Sequence, residues 1–166
     1  MNATASAQSS VTEPSQASPA DVESIEAILH AVYDVISGDA GEPRNWDRMR
    51  SLFIPGARLI PTGGDSTGAR RHTVQTLEQW IASSGAAIER IGFFERELQR
   101  VAERYGHIAH VFSTYDSRRT ASDAEPFARG INSFQLWNDG TRWWVVTIFW
   151  EGESPGNPIP AEYLRQ

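Results

Sequence analysis

Two residue types, cysteine and lysine, are missing from this chain of 166 residues. Without cysteine there is no thiolate nucleophile, no disulfide and no thiolate metal ligand. Without lysine there is no Schiff base and no lysine general base. All 15 basic side chains are arginines, which stay protonated and bind anions but exchange protons poorly. Acid–base chemistry would therefore fall to His, Asp, Glu or Tyr.

The net charge and the hydropathy of the chain limit the kinds of partner that it can bind. The formal net charge is -6, whereas a nucleic-acid partner needs a basic surface. Apolar runs stay well short of the roughly 20 residues of a membrane span. We therefore expect neither nucleic acid nor membrane as a partner. The N-terminal segment lacks the basic start and apolar stretch of a signal peptide. This favours a cytoplasmic protein, and a secreted or periplasmic location stays open if a signal peptide has been removed.

The chain divides into one domain and two tails. Its length suits a single core of about 150 residues. Residues 1–19 are mainly Ala, Ser, Thr, Gln and Pro and are predicted to form a disordered tail. Residues 20–152 form the predicted domain. The Pro-rich residues 153–166 are a predicted extended tail, with Tyr163 and Leu164 as candidate anchors.

Three helices are predicted in the first half of the chain. Ser18 caps the first, Asn45 the second and Thr73 the third, and apolar residues then recur at helical spacing in each. A short strand over residues 57–61 separates the second and third helices. It is followed by a Gly-rich loop over 62–72, which lacks the lysine of a phosphate loop and is interpreted as a flexible rim.

Strands are predicted in the second half. β-rich segments end in the turn "NDG", and "RWWVVTIFW" returns from it as the closing strand. Residues 92–106 are ambiguous, because their composition favours a helix and their alternation weakly favours a strand. Helices in front and meander strands behind predict an α+β fold, with a curved antiparallel sheet around about three helices. Such a sheet leaves a cavity beneath the helices.

Three segments carry a resemblance to a known family: "AILHAVYDVISG", "NWDRMRSLFIPGARLIPTG" and "RGINSFQLWNDGTRWWVVTIFW". With them, residues 20–152 resemble the nuclear transport factor 2-like superfamily. This is the cystatin-like cone fold of ketosteroid isomerases, scytalone dehydratase and SnoaL-like cyclases. The resemblance implies that 92–104 is a strand. It also implies that the inner sheet face lines an apolar pocket and that the outer face forms a homodimer.

The ketosteroid isomerases allow a comparison residue by residue. In that family a Tyr on the first helix and an Asp on the next-to-last strand form an oxyanion hole, and these positions correspond to Tyr33 and Asn132. The position of the family's catalytic base corresponds to Pro61, which cannot take a proton. Trp150 corresponds to an aromatic residue of the pocket wall. The resemblance thus implies a pocket without the family's base.

Trp150 also orients the closing strand, whose faces alternate with period two. Trp144, Val146 and Ile148 should share its inner face, and Trp143, Val145, Thr147 and Phe149 should lie outside. The complete predicted ligand-binding set is Leu59, Trp80, Val111, Ser113, Tyr115, Phe134, Trp144, Val146, Ile148 and Trp150.

Several residues keep two interpretations. Tyr33 and Asn132 are candidate donors to a carbonyl, or a structural hydrogen bond between helix and sheet. His30 is a candidate general base, or a partly exposed helix residue. His107 and His110 fall on opposite faces of a strand, so no metal site is predicted, and no cofactor is expected.

The sequence therefore predicts a small-molecule pocket domain for a largely apolar ligand. In one hypothesis it catalyses a lyase-, isomerase- or cyclase-type step, with Tyr33 and Asn132 orienting a carbonyl. In the alternative it is a non-catalytic ligand-sensing or protein-interaction module that forms a homodimer, which Pro61 favours.

Overall fold

The computed structural model describes residues 16–64 and 67–164. Most of the tail predicted for residues 1–19 lies outside this range. All the helical elements except the last lie on one side of a sheet. The helical elements are α1 (Pro19–Val22), α2 (Ile25–Ile36), α3 (Trp46–Leu52), α4 (Leu77–Trp80), a π-helical stretch (Ile81–Gly85), α5 (Ala86–Ile91) and a 3-10 turn (Ala161–Tyr163).

The described residues form seven strands in one sheet. They are β1 (Phe53–Gly64), β2 (Arg70–His72), β3 (Gln75–Thr76), β4 (Phe94–Tyr105), β5 (Ile108–Arg118), β6 (Ala128–Asn138) and β7 (Trp143–Gly152). The order is β2-β1-β7-β6-β5-β4, with β3 paired to β1. The predicted α+β cone is confirmed. The sheet is mixed rather than wholly antiparallel, because β1 runs parallel to β7.

Two helix starts differ from prediction. Ser24 interrupts the single first helix that was predicted, and its side chain accepts a hydrogen bond from the Ala27 backbone N–H at 3.0 Å. α2 therefore starts there, after the single turn of α1. Thr76 rather than Thr73 caps the third helix, because it forms a reciprocal capping box with Gln79. Such local hydrogen bonds decide between neighbouring Ser and Thr residues that look equivalent in sequence.

α2 packs its apolar stripe on the inner face of the sheet. Ile28 and Leu29 on the helix are fully buried, as are Val111, Phe134 and Val145 on the strands. Their burial is the main source of stability, at about 25 cal/mol per Å² of apolar surface removed from water. The structure also places β4 at the sheet edge, as the family resemblance implies and against the helical propensity of its sequence.

The closing strand β7 contains a β-bulge. Gln135 of β6 pairs with Thr147, but the next residue, Leu136, pairs with Val145. Val146 is therefore an extra residue in β7, and the alternation of faces shifts at this point.

The bulge corrects the predicted faces of β7. Trp143 and Val145 were expected outside, yet they are buried in the core, with Trp143 only 3% exposed. Trp144 and Val146 were expected inside, yet both are only partly buried and neither reaches the interior cavity. Beyond the bulge, Ile148 faces inward as expected.

The C-terminal segment crosses the outer face of the sheet. The ring of Tyr163 packs edge-on against Phe112, with 5.3 Å between ring centroids. The Thr114 hydroxyl donates to the Tyr163 carbonyl at 2.8 Å, and Ile159 is buried. Part of the outer face is thus covered by the chain itself. Among the described residues, no helix combines the length and apolar character needed to cross a membrane.

Candidate functional site

A cavity of about 210 Å³ lies between the inner sheet face and the helices. Its walls are mostly apolar, which is typical of a small-molecule site. The apolar lining residues are Val32, Ile36, Met49, Leu59, Trp80, Ile88, Phe93, Phe134, Ile148 and Trp150, and the polar ones are Tyr33, Ser84, Glu95, Tyr115 and Asn132.

Glu95 is the carboxylate of this cavity. It lies one residue into β4, where its backbone N–H donates to the Ser37 hydroxyl at 3.1 Å. Ser117 donates to one carboxyl oxygen at 2.8 Å, and the Asn132 amide approaches the other at 3.4 Å. Burial raises the pKa of Glu95 to about 7, against the lowering effect of these two hydrogen bonds. At neutral pH this carboxyl can both take up and release a proton.

Tyr33 and Asn132 meet beside Glu95. The Asn132 amide donates to the Tyr33 hydroxyl at 3.1 Å, and that hydroxyl lies 2.7 Å from the Ser113 hydroxyl. Burial raises the pKa of Tyr33, and the charge of Glu95 adds to this effect. The phenol therefore stays protonated at neutral pH. The three groups form a hydrogen-bonded link from α2 to β5 and β6.

The predicted ligand-binding residues separate into three groups in the structure. Val111 and Ser113 are on the inner face but fully buried, and they do not line the cavity because protein covers them. Trp144 and Val146 are displaced by the bulge. The residues that do line the cavity are Leu59, Trp80, Tyr115, Phe134, Ile148 and Trp150.

Trp144 instead belongs to the hairpin. The guanidinium of Arg142 lies 3.6 Å from the centroid of its ring, and its indole N–H donates to Asp139 at 2.7 Å. These contacts hold Trp144 beside the hairpin turn. It therefore does not contribute to the wall of the cavity.

His30 does not line the cavity. It is an exposed residue of α2 beside an outer groove between the first helices and β4. The structure therefore does not place His30 as a base inside the cavity, because this residue lies on the exposed side of α2. The Glu95 and Tyr33 residues line both this groove and the cavity.

Glu95 was not predicted from the sequence. The signal that was present is the alternation of Phe93, Glu95 and Glu97 in a segment that the family resemblance makes a strand. If Phe93 faces inward, Glu95 does too. Glu97 is partly buried, and burial raises its pKa, but it lines the outer groove and not the cavity.

A metal centre finds no support within the described part of the chain. No three carboxylate or imidazole side chains there are grouped so that they could hold an ion. The titratable side chains that line the cavity are Tyr33, Glu95 and Tyr115.

Comparison with known proteins identifies the fold. No protein-family model matches the sequence, and a search among curated proteins gives no match. Several solved structures do match. A cystatin-like protein of unknown function from Nostoc punctiforme aligns with a TM-score of 0.56 at 11% identity, over 82% of this chain and 92% of its own.

Two further structures have the same architecture. A candidate ketosteroid isomerase from Parabacteroides distasonis has a TM-score of 0.51 at 14% identity, over 80% of this chain and 91% of its own. A candidate calcium/calmodulin-dependent protein kinase II association domain from Xanthomonas campestris has a TM-score of 0.53 at 14% identity, over 87% and 99%. The chain therefore has the nuclear transport factor 2-like fold, and the resemblance predicted from its sequence is confirmed at that level.

Proposed function

We propose that this protein binds a small, largely apolar carbonyl compound in the cavity and moves a proton on it, in an isomerase-, lyase- or cyclase-type step. Glu95 is the proton carrier. The observation that carries this proposal is a carboxyl group with a pKa of about 7 at the wall of an apolar cavity. Perturbed carboxyl groups in such positions are typical of catalytic acids and bases.

The cavity limits the size of the ligand. Its volume of about 210 Å³ lies below the roughly 300–1,000 Å³ of sites for drug-sized molecules. Trp80, Phe134 and Trp150 contribute flat aromatic walls. A planar ligand of one or two rings fits these walls best.

The chemistry follows from the ionisation of Glu95. Its carboxylate takes a proton from the carbon next to the carbonyl, and the C–H electron pair moves to the carbonyl oxygen as an enolate. The protonated Glu95 then returns the proton to another carbon, or to a leaving group as the electron pair expels it. Asn132 and Ser117 hold the carboxyl in place by their hydrogen bonds.

The test is proton exchange, which does not require the natural substrate. A small aromatic ketone such as 2-acetylnaphthalene is incubated with the protein in D₂O, and loss of its α-proton signal is followed by NMR. We expect exchange above the buffer rate, rising with pH through about 7 as Glu95 ionises. Glu95→Gln should remove it. Glu97→Gln, on the same strand but outside the cavity, is the matched control and should retain it.

A non-catalytic module is the second candidate. Pro61 stands where the related isomerases carry their base, and exposed apolar side chains such as Phe149 lie on the outer sheet face. One structure that shares this fold is named as a protein kinase II association domain. Ligand binding without any proton exchange in any tested ketone, together with a homodimer in solution, would favour this candidate over an enzyme.

A further inference from the structure

The polar groups of the cavity differ in whether they already have partners. Tyr33, Asn132 and Glu95 are joined to one another or to neighbouring serines. Tyr115 is different. Within residues 16–64 and 67–164, its hydroxyl takes part in no hydrogen bond, although the side chain lines the cavity and is only 7% exposed.

We propose that the Tyr115 hydroxyl is the hydrogen-bond donor for the ligand's carbonyl oxygen, and that it selects oxygen-bearing ligands over hydrocarbons. This inference rests on the function proposed above and deepens it. It assigns recognition of the oxygen to Tyr115, while Asn132 and Ser117 hold Glu95.

The fold makes room for this hydroxyl. Tyr115 on β5 is paired with Gly130 on β6. A Cβ atom at Gly130 would lie 2.5 Å from the Tyr115 hydroxyl oxygen and 2.7 Å from the ring carbon that carries it. Any larger residue at that position would push the ring away. The glycine therefore lets the phenol lie flat across the neighbouring strand, inside the cavity.

The hydroxyl is also a donor rather than an anion. Burial raises the pKa of Tyr115, and the nearby charge of Glu95 raises it further. Tyr115 and Glu95 also line the same cavity, as a donor and a base for one carbonyl compound must. Because the Tyr115 hydroxyl has no hydrogen-bond partner among the described residues, an acceptor on the ligand can bond to it without breaking an existing protein hydrogen bond.

Tyr33 is the weaker candidate for this role. Its oxygen already accepts from the Asn132 amide at 3.1 Å and is 2.7 Å from the Ser113 hydroxyl. A ligand would have to break this buried link before it could use the Tyr33 hydroxyl. Tyr115 needs no such exchange.

The experiment compares two probes of nearly equal shape, 2-acetylnaphthalene and 2-ethylnaphthalene, of which only the first has a carbonyl. Their dissociation constants are measured by calorimetry for the wild type, Tyr115→Phe, Tyr33→Phe and the control Tyr105→Phe. Tyr105 is 85% exposed. We expect the ratio of ketone to hydrocarbon affinity to fall about three- to tenfold in Tyr115→Phe, as for one lost hydrogen bond. It should not change in the control, and Tyr33→Phe tests the competing assignment of the oxygen to Tyr33.

The outcomes separate the two proposals. An unchanged ratio in Tyr115→Phe, with both probes still bound, overturns the inference and leaves the pocket function standing. If the ratio of ketone to hydrocarbon affinity falls in Tyr33→Phe instead, the ligand's carbonyl oxygen is assigned to Tyr33. That result also overturns the inference about Tyr115. Absence of binding of either probe to the wild type overturns the pocket function together with the inference.

Discussion

At the scale of single residues, Glu95 ties function to stability. Its pKa is about 7 in the folded chain and ordinarily 4.5, so the folded state binds the proton more tightly than the unfolded state. Stability therefore falls as pH rises from about 4.5 to about 7. We predict that Glu95→Gln gains roughly 1–3 kcal/mol in unfolding free energy relative to wild type between pH 5 and pH 8. Solvent in the open cavity favours the lower end.

Urea unfolding of both proteins at the two pH values measures this gain. Glu78→Gln is the control, because hydrogen bonding to Arg50 lowers the pKa of Glu78. Glu78 titrates below this pH window, so its variant should differ from wild type by the same amount at pH 5 and pH 8. A Glu95→Gln variant that behaves like the control would show that Glu95 is ionised throughout.

At the scale of residues, the family pattern indicated which side chains would be neighbours, whereas properties that depend on the environment of a side chain could not be predicted. Tyr33 and Asn132 were placed together by resemblance, and they do form a hydrogen bond. Glu95 carries no motif. Its pKa depends on burial among α2, β4, β5 and β6, and that burial exists only once those elements have assembled. The burial of Glu95 therefore cannot be predicted from a glutamate in a segment whose secondary structure is ambiguous.

At the scale of elements, the bulge in β7 gives the sharpest test. It places Trp143 in the core and leaves Trp144 only partly buried, next to the hairpin turn. We predict that Trp143→Ala lowers the unfolding free energy by about 3–5 kcal/mol, as for a large buried side chain. Trp144→Ala should cost about 1 kcal/mol or less, because it loses only surface contacts with Arg142 and Asp139.

The two variants are each other's control in denaturant unfolding, since the same side chain is removed at adjacent positions. Equal losses, or a larger loss at Trp144, would contradict the bulge. The sequence could not predict the shift. The four residues Trp143 to Val146 are all apolar, so no polar residue marks the extra position, which is set by pairing with β6.

At the scale of the whole molecule, the order of elements was the most predictable feature. Helices in the first half of the chain and a meander of strands in the second predict the α+β layers. That β4 is a strand was implied by the family resemblance. The cavity itself depends on how far the curved sheet stands from α2, which is a property of packing and not of any segment. The same is true of the outer face, where Trp143 and Val145 were expected and are absent because they point inward.

We propose that the outer face forms a homodimer, as the family resemblance implies. Phe112, Ser133 and Phe149 lie opposite one another on three adjacent strands, and Phe149 is 48% exposed. We predict a dimer by sedimentation velocity at micromolar concentration and a monomer for Phe149→Asp, because a charge at the centre of an apolar interface is costly to bury. Val74→Asp is the control, since Val74 is equally exposed but lies outside β4 to β7. A wild-type protein that sediments as a monomer would contradict the predicted homodimer. If Phe149→Asp still forms a dimer, the interface lies on another surface.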